Sequence, residues 1–180
     1  MTLETTSFAE GAIEVTFLQQ QGRDPFIAPP ERTAQIRDVA NRIAQFIGEA
    51  KSTIDIAIYD FRLRDEAATI VADGLRSQAR KGVRTRIAYD NATNPGADVI
   101  PTAAPSQLES DQRPIGADSF VRSFADVAQV KGITGYRVLM HNKYILRDVD
   151  SADAAVFTGS SNYTNDSWGL QDNNLLCLRS

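Results

Sequence analysis

Two short segments hold the residues whose types and spacing suit chemistry. The first, "VLMHNKYILRD" (138–148), contains His141, the single histidine of the chain, and Lys143 two residues later. Its apolar, branched and aromatic residues predict a strand over 136–147, in which residues two apart share a face. An imidazole and an ammonium would then point the same way out of a greasy run. Both are costly to bury without a partner, and side by side they favour a bound anion. The second segment, "TGSSNYT" (158–164), places Gly159, Ser160 and Asn162 in one tight turn. Each segment alone has an ordinary explanation, since a lone histidine is more often structural than catalytic and "GSSN" suits any turn. Together they offer hydroxyl, amide and ammonium donors around one imidazole, which is the makings of an oxyanion pocket.

The elements that must position these residues can be read from periodicity. "AIEVTFL" (12–18) alternates as a strand, and "QQQGRDPFIAPP" follows as a loop punctuated by glycine and prolines. Ile36, Val39, Ala40, Ile43, Phe46, Ile47 and Ala50 recur at helical spacing. "STIDIAIYDF" (52–61) puts Ile54, Ile56 and Ile58 on one strand face. "RDEAATIVADGLRSQARKG" predicts a second helix, with acids in its first turn, bases in its last and Gly82 as its stop. "VRTRIAYD" (83–90) is the next strand. Residues 91–117, rich in Pro, Asn, Ser and Asp, break the pattern as a long loop, and loops of that length are usually functional or mobile. "DSFVRSFADVAQVKG" suggests a short helix, and "AAVFTG" and "NNLLCLRS" are closing strands. The alternation predicts an α/β fold, a mixed, largely central β-sheet flanked by helices on both faces, built as one domain over residues 1–180.

Composition narrows the function classes. A chain of 180 residues with net charge −4 suits one domain with a sizeable core. No run approaches the roughly 20 apolar residues that span a bilayer, and no secretory signal is recognisable. The expected location is therefore the cytoplasm, with peripheral membrane association left open. The single cysteine, Cys177, excludes an internal disulfide and reads as a small core residue. Arginine far outnumbers lysine, which suits fixed phosphate contacts. The acidic balance argues against a general nucleic-acid binder. No metal cluster or cofactor motif is evident.

His141-x-Lys143-x-x-x-x-Asp148, followed by Gly159-Ser160-x-Asn162, resembles the HKD signature of the phospholipase D superfamily. The run "IDIAIYDF…GLRSQARKGVRTRIAYD" also resembles the strand–helix–strand unit that precedes that motif. The resemblance implies a metal-independent phosphodiesterase without cofactors. His141 would attack phosphorus and form a phosphohistidine, while Lys143, Ser160 and Asn162 hold the non-bridging oxygens. Asp148 completes the catalytic signature, yet beside Arg147 and before a turn it reads as a turn or ion-pair residue. The family tends to carry a downstream acid that orients the imidazole. Here Asp172 and Asn173 are the candidates, and a one-residue slip would put them on opposite faces.

The implied mechanism needs a second histidine, which this chain lacks. A homodimer mate would supply one about a two-fold axis. Alternatively, these residues are the first half of a longer two-motif protein. An isolated monomer is expected to be inactive on either reading. The substrate is a phospholipid or similar phosphodiester, or nucleic acid if the chain is a nuclease of the same superfamily. Val99, Ile100, Pro101 and Leu108 form a modest apolar rim, whereas Arg84, Arg86, Arg113, Arg122 and Arg137 are scattered. A non-catalytic phosphate-binding or scaffold module is the remaining alternative. Trp168 is read as lining an entrance or packing its loop, Tyr144 as core, and Tyr59 and Asp60 as near a strand end where α/β sites form.

Overall fold

The computed structural model describes residues 3–24, 26–90, 117–133 and 140–180, with the side chains of 117–119 left aside. The expectations placed on 91–116 and 134–139, including the apolar rim, Arg113 and Arg137, lie outside the described residues. Among the described residues, strands β1 (Thr5–Phe8), β2 (Ile13–Leu18), β3 (Thr53–Ile58), β5 (Arg84–Asp90), β6 (Gln129–Ile133), β7 (Lys143–Arg147), β8 (Ala155–Gly159) and β10 (Asn173–Arg179) form one sheet. Its order is β1-β2-β10-β8-β7-β3-β5-β6. β3, β5 and β6 run parallel, and the remaining pairs are antiparallel. β4 (Phe61–Arg62) and β9 (Tyr163–Thr164) make a separate two-stranded parallel ladder. The helices are α1 (Pro30–Gly48), α2 (Asp65–Arg80), α3 (Ala117–Arg122) and α4 (Asn165–Gly169).

The mixed sheet with flanking helices is the architecture that the alternation predicts. Its core gathers on one face. Ile54, Ile56 and Ile58 of β3 pair in register with Thr85, Ile87 and Tyr89 of β5, so all six share that face. Val39, Ile43 and Ile47 of α1 and Val71 and Leu75 of α2 cover them. Gln78 of α2 is buried and donates its Nε2 to Ile47 O at 2.8 Å and Ala50 O at 2.9 Å, which satisfies carbonyls at the end of α1. The opposite face carries Ile13, Val15, Phe17, Tyr144, Leu146, Val156, Leu176 and Leu178, half-buried or exposed. Tyr144 thus lies outside the core in which the sequence placed it. Trp168, by contrast, is fully buried against Tyr163 and lines no entrance. No described helix is long and apolar enough to cross a membrane.

Three expectations shift. The strand assigned to 136–147 begins only at Lys143 within the described residues: Asn142 O still accepts from Tyr59 N at 2.7 Å, but Met140 N turns to Asp90 Oδ2 at 2.6 Å. The window read as one short helix holds α3 and then β6, which pairs with β5. The segment read as a polar loop contains β9 and α4, with Thr164 Oγ1 accepting from Ser167 N at 3.1 Å as an N-cap.

Asp148 closes β7 at the end away from His141. Four strand steps separate Lys143 from Arg147, about 13 Å. Its buried carboxylate accepts from Lys51 N at 2.9 Å, Ser52 N at 2.7 Å, Ser52 Oγ at 2.8 Å and Thr53 N at 3.1 Å. In this position it anchors the α1–β3 turn, with Arg147 Nη1 a long 3.9 Å away. Burial alone would raise the Asp148 carboxyl, but these hydrogen bonds hold it below the usual carboxylate value. A depressed folded value stabilises the fold above the ordinary carboxylate pKa, and that contribution is lost as pH falls through the folded value. Asp148→Asn is expected to lose about 3 kcal/mol at neutral pH, since the amide meets donors with a donor. Urea melts of both proteins check this, and the gap should shrink in strong acid.

Candidate functional site

One end of the sheet collects the polar residues. Tyr59 and Asp60 follow β3, His141 and Asn142 precede β7, Ser160–Asn162 follow β8, and Asn173 opens β10. The register explains the convergence. β3 and β8 both run antiparallel to β7, so their ends meet its beginning. Thr158 Oγ1 donates to Lys143 O at 2.8 Å and ties the two motif segments together.

His141 and Lys143 are brought together as the strand argument required, although His141 stands just outside the strand. Both rest on Tyr59. The His141 ring meets it edge-on with centroids 4.7 Å apart, and Lys143 Nζ sits 5.2 Å from its centroid. His141 is exposed, whereas Lys143 is only 8 % exposed. Burial pushes the Lys143 ammonium below the ordinary lysine value, and the Asp60 charge opposes this only in part. Asp60 is committed elsewhere: Arg62 binds it in a fork, Nε at 2.6 Å and Nη2 at 2.5 Å. Hydrogen bonding to Asp60 holds the Arg62 guanidinium above its ordinary value. Lys143 Nζ makes one long bond, to His141 O at 3.4 Å, and no carboxylate salt bridge among the described residues.

The turn after β8 is held from beneath. Ser160 Oγ donates to Asn173 Oδ1 at 2.8 Å and accepts from Asn174 N at 3.0 Å. Asn162 N donates to Ser167 Oγ at 3.1 Å, while its buried Oδ1 has no partner among the described residues. Ser167, which the sequence reading passed over, is a buried hub: its hydroxyl also meets Ser161 Oγ at 3.2 Å and Gln171 Oε1 at 3.1 Å. Asn173 Nδ2 reaches Ser167 O at 3.0 Å.

The expected orienting role of residues 172–173 takes another form. Asn173 fixes Ser160, and Asp172 Oδ1 accepts from Gln20 N at 2.8 Å on the neighbouring β2 side. Neither side chain bonds the imidazole within the described residues; Tyr59 is the group that touches it. Tyr59 was undervalued because its contacts lie far away in sequence. Arg62 lies only two residues from its partner Asp60, but no motif or periodicity singles it out. Among the described residues no three His, Cys, Asp or Glu side chains group as metal ligands.

Gly159 sets the path into this turn. Its φ is +147°, and a Cβ there would lie 2.2 Å from Asn174 O, a backbone atom. Gly159→Ala is therefore expected to pry β8 from β10 and lose about 3 kcal/mol of stability. Thermal melts check the loss, and amide shifts of Ser160 and Asn174 check its location.

Residues 43–180 match the family profile described as "Cardiolipin synthase, PLD-like domain". The fold is similar to that of the phospholipase D family member Nuc from Salmonella typhimurium, with TM-score 0.58, 16% identity, and coverage of 93% of this chain and 82% of that one. It is also similar to NucT from Helicobacter pylori, with TM-score 0.52, 21% identity and coverage of 93% and 86%. Phosphatidylserine synthase from Haemophilus influenzae gives TM-score 0.50 and 14% identity, over 93% of this chain and 35% of that one. No curated protein matches the sequence.

Proposed function

The chain belongs to the phospholipase D-like domain family, and from that premise we propose that it cleaves or transfers phosphodiesters through a covalent intermediate on His141. The observation that carries this reading is Lys143, an ammonium only 8 % exposed with no carboxylate salt bridge among the described residues. A buried cation of this kind needs an anion. A phosphate bound there would lie beside the exposed imidazole of His141.

An imidazole nitrogen of His141 attacks phosphorus, and the P–O bond to the leaving alcohol breaks as the N–P bond forms. A second histidine gives its proton to the departing oxygen. It then takes a proton from water or an acceptor alcohol, whose oxygen displaces His141. Lys143 and Asn162 hold the non-bridging oxygens as charge redistributes, and Ser160, whose N–H and O–H are both donated to β10, fixes the turn that carries Asn162. The second histidine comes from a homodimer mate or from another motif of a longer protein. Phospholipid or a similar phosphodiester is favoured over nucleic acid. The arginines near the site are already engaged, Arg62 with Asp60 and Arg64 with Asp166, which leaves no continuous basic track among the described residues.

Tyr59 positions the pair. Tyr59→Ala is expected to lower kcat about tenfold with KM little changed, while Tyr59→Phe keeps kcat. Steady-state kinetics that separate kcat from KM check this.

Hydrolysis of bis(p-nitrophenyl) phosphate in EDTA, over a range of protein concentrations, tests the reaction. Turnover that persists in EDTA and rises faster than linearly with protein is the expected result for a site shared between copies. Turnover abolished by EDTA contradicts the mechanism. A folded chain that is inactive at every concentration rules out the self-sufficient homodimer for this substrate.

A further inference from the structure

The loop between β2 and α1 carries the two most exposed large apolar side chains among the described residues: Phe26 is 96 % exposed and Ile27 66 %. It lies at the end of the sheet where His141 stands. Leu18, which closes β2, pairs with Asn173, and α1 runs from this end to the far one, where Lys51 N meets Asp148. Resting on the phosphodiester reading above for why a lipid would be met there, we propose that Phe26 and Ile27 form a bilayer-docking tip. They insert among the headgroups of a phospholipid surface and set the His141 end of the sheet against it.

The base of the loop holds this tip out. Buried Arg32 donates Nε to Gln21 O at 2.8 Å and Nη2 to Asp24 O at 2.9 Å. Buried Gln35 donates Nε2 to Gln19 O at 2.8 Å and Trp168 O at 2.7 Å. Asp172 Oδ1 takes Gln20 N at 2.8 Å, and Gln21 N donates to Gly169 O at 2.9 Å. Gly22, at φ +76°, makes the turn over Arg32, whose Nη2 a Cβ would approach to 3.1 Å. Beyond it, Asp24 Oδ1 accepts from Phe26 N at 2.8 Å, and Pro29, at φ −63° and ψ 155°, leads into α1. A backbone tied at so many points cannot fold Phe26 and Ile27 back onto the protein. Docking therefore requires little ordering of the loop and recovers the burial that the fold denies them.

Shape and charge choose the partner. A phenyl ring 96 % exposed is surrounded by water on nearly every side, so the tip projects and offers no groove. Two such side chains bury at most about 400 Å². A stable protein interface takes about 800 Å² from each partner. A bilayer needs no complementary pocket and accepts apolar groups that project from a surface. The exposed charges of the loop and of the first turn of α1 are Arg23, Asp24 and Glu31, one cation against two acids. They give a nucleic acid nothing to hold and do not draw anionic lipid. Binding then comes from apolar burial and is indifferent to salt.

Co-sedimentation of the full chain with vesicles of phosphatidylcholine, alone or mixed with phosphatidylglycerol, tests this. Half-binding is expected at about a millimolar of lipid, weaker than a single myristoyl chain gives. The double variant Phe26→Ala/Ile27→Ala should weaken it at least tenfold. Both side chains stand in water, so the melt and the turnover of soluble bis(p-nitrophenyl) phosphate should stay as in the wild type. In Phe26→Trp, the new indole should shift its emission to the blue on vesicles and be quenched by brominated lipid, above the constant signal of fully buried Trp168. Wild-type protein that stays in solution with both vesicles overturns the docking tip and leaves the phosphodiester reading, which the soluble substrate reads separately. Binding that survives the double substitution, or that needs phosphatidylglycerol and is lost in salt, also overturns it. An assembly of chains that falls apart in the double variant without lipid would assign the tip to a protein interface and overturn it as well.

Discussion

Lys143→Met is expected to lower turnover about a thousandfold while raising the melting temperature. The two effects have one cause. The ammonium is nearly buried, its intended carboxylate neighbour Asp60 is occupied by Arg62, and burial depresses its pKa. In the absence of an anion, that desolvation destabilises the fold. A thioether of similar volume removes the penalty, a gain of about 1 kcal/mol. The same change removes a cation placed to meet charge developing on phosphorus-bound oxygen, and loss of such a group commonly lowers rates by two to three orders of magnitude. The sign with pH follows from linkage. A lysine with a depressed folded pKa binds fewer protons in the folded than in the unfolded state between the two values. Wild-type stability therefore rises with pH through that window, and the variant's advantage should be full at neutral pH and fade in alkali. Melting curves at several pH values, beside kinetics on bis(p-nitrophenyl) phosphate, measure both halves. A destabilised Lys143→Met would show that the ammonium is already compensated.

His141→Gly is expected to lose at least a thousandfold in turnover with little change in stability. The imidazole is exposed and makes an edge-on ring contact with Tyr59. Its removal opens no core cavity, so the melt should move by less than about 1 kcal/mol. A nucleophile is another matter, because without it the two-step route is closed. Free imidazole added to the variant should restore a part of the rate, since it can enter the vacated space and take the phosphoryl group itself. A histidine with a merely structural role would give neither the large loss nor the rescue.

Periodicity made the long elements legible. α1 and α2 carry apolar residues at helical spacing, and β3 and β5 alternate, so burial follows directly from sequence. The misses are short or exposed. β1, "TTSF", is exposed along its length and shows no alternation. β4 and β9 are two residues each and exist only because they pair with one another. β6 carries intermediate burial and lies in a window that also suits a helix. For the site, His141, Lys143, Ser160 and Asn162 could be singled out from types and spacing, since they sit in two compact segments. Tyr59 could not, because only the meeting of the β3 and β7 ends brings it in, and Arg62, two residues from its partner Asp60, carries no motif that marks it. The ambiguity at 172–173 was one of register. Pairing of Asn173 with Leu18 turns its side chain to the helix-covered face, where it meets Ser160. Asp172, one residue earlier, bonds the loop after β2 instead.

The central claim is a covalent bond between His141 and phosphorus. The most direct test mixes the protein with bis(p-nitrophenyl) phosphate, quenches within the first turnovers in base, and maps phosphorylated peptides by mass spectrometry. The account predicts one adduct, on His141, stable in base, labile in acid, and absent from His141→Gly. Sustained turnover with an unmodified His141 at every quench time would contradict it.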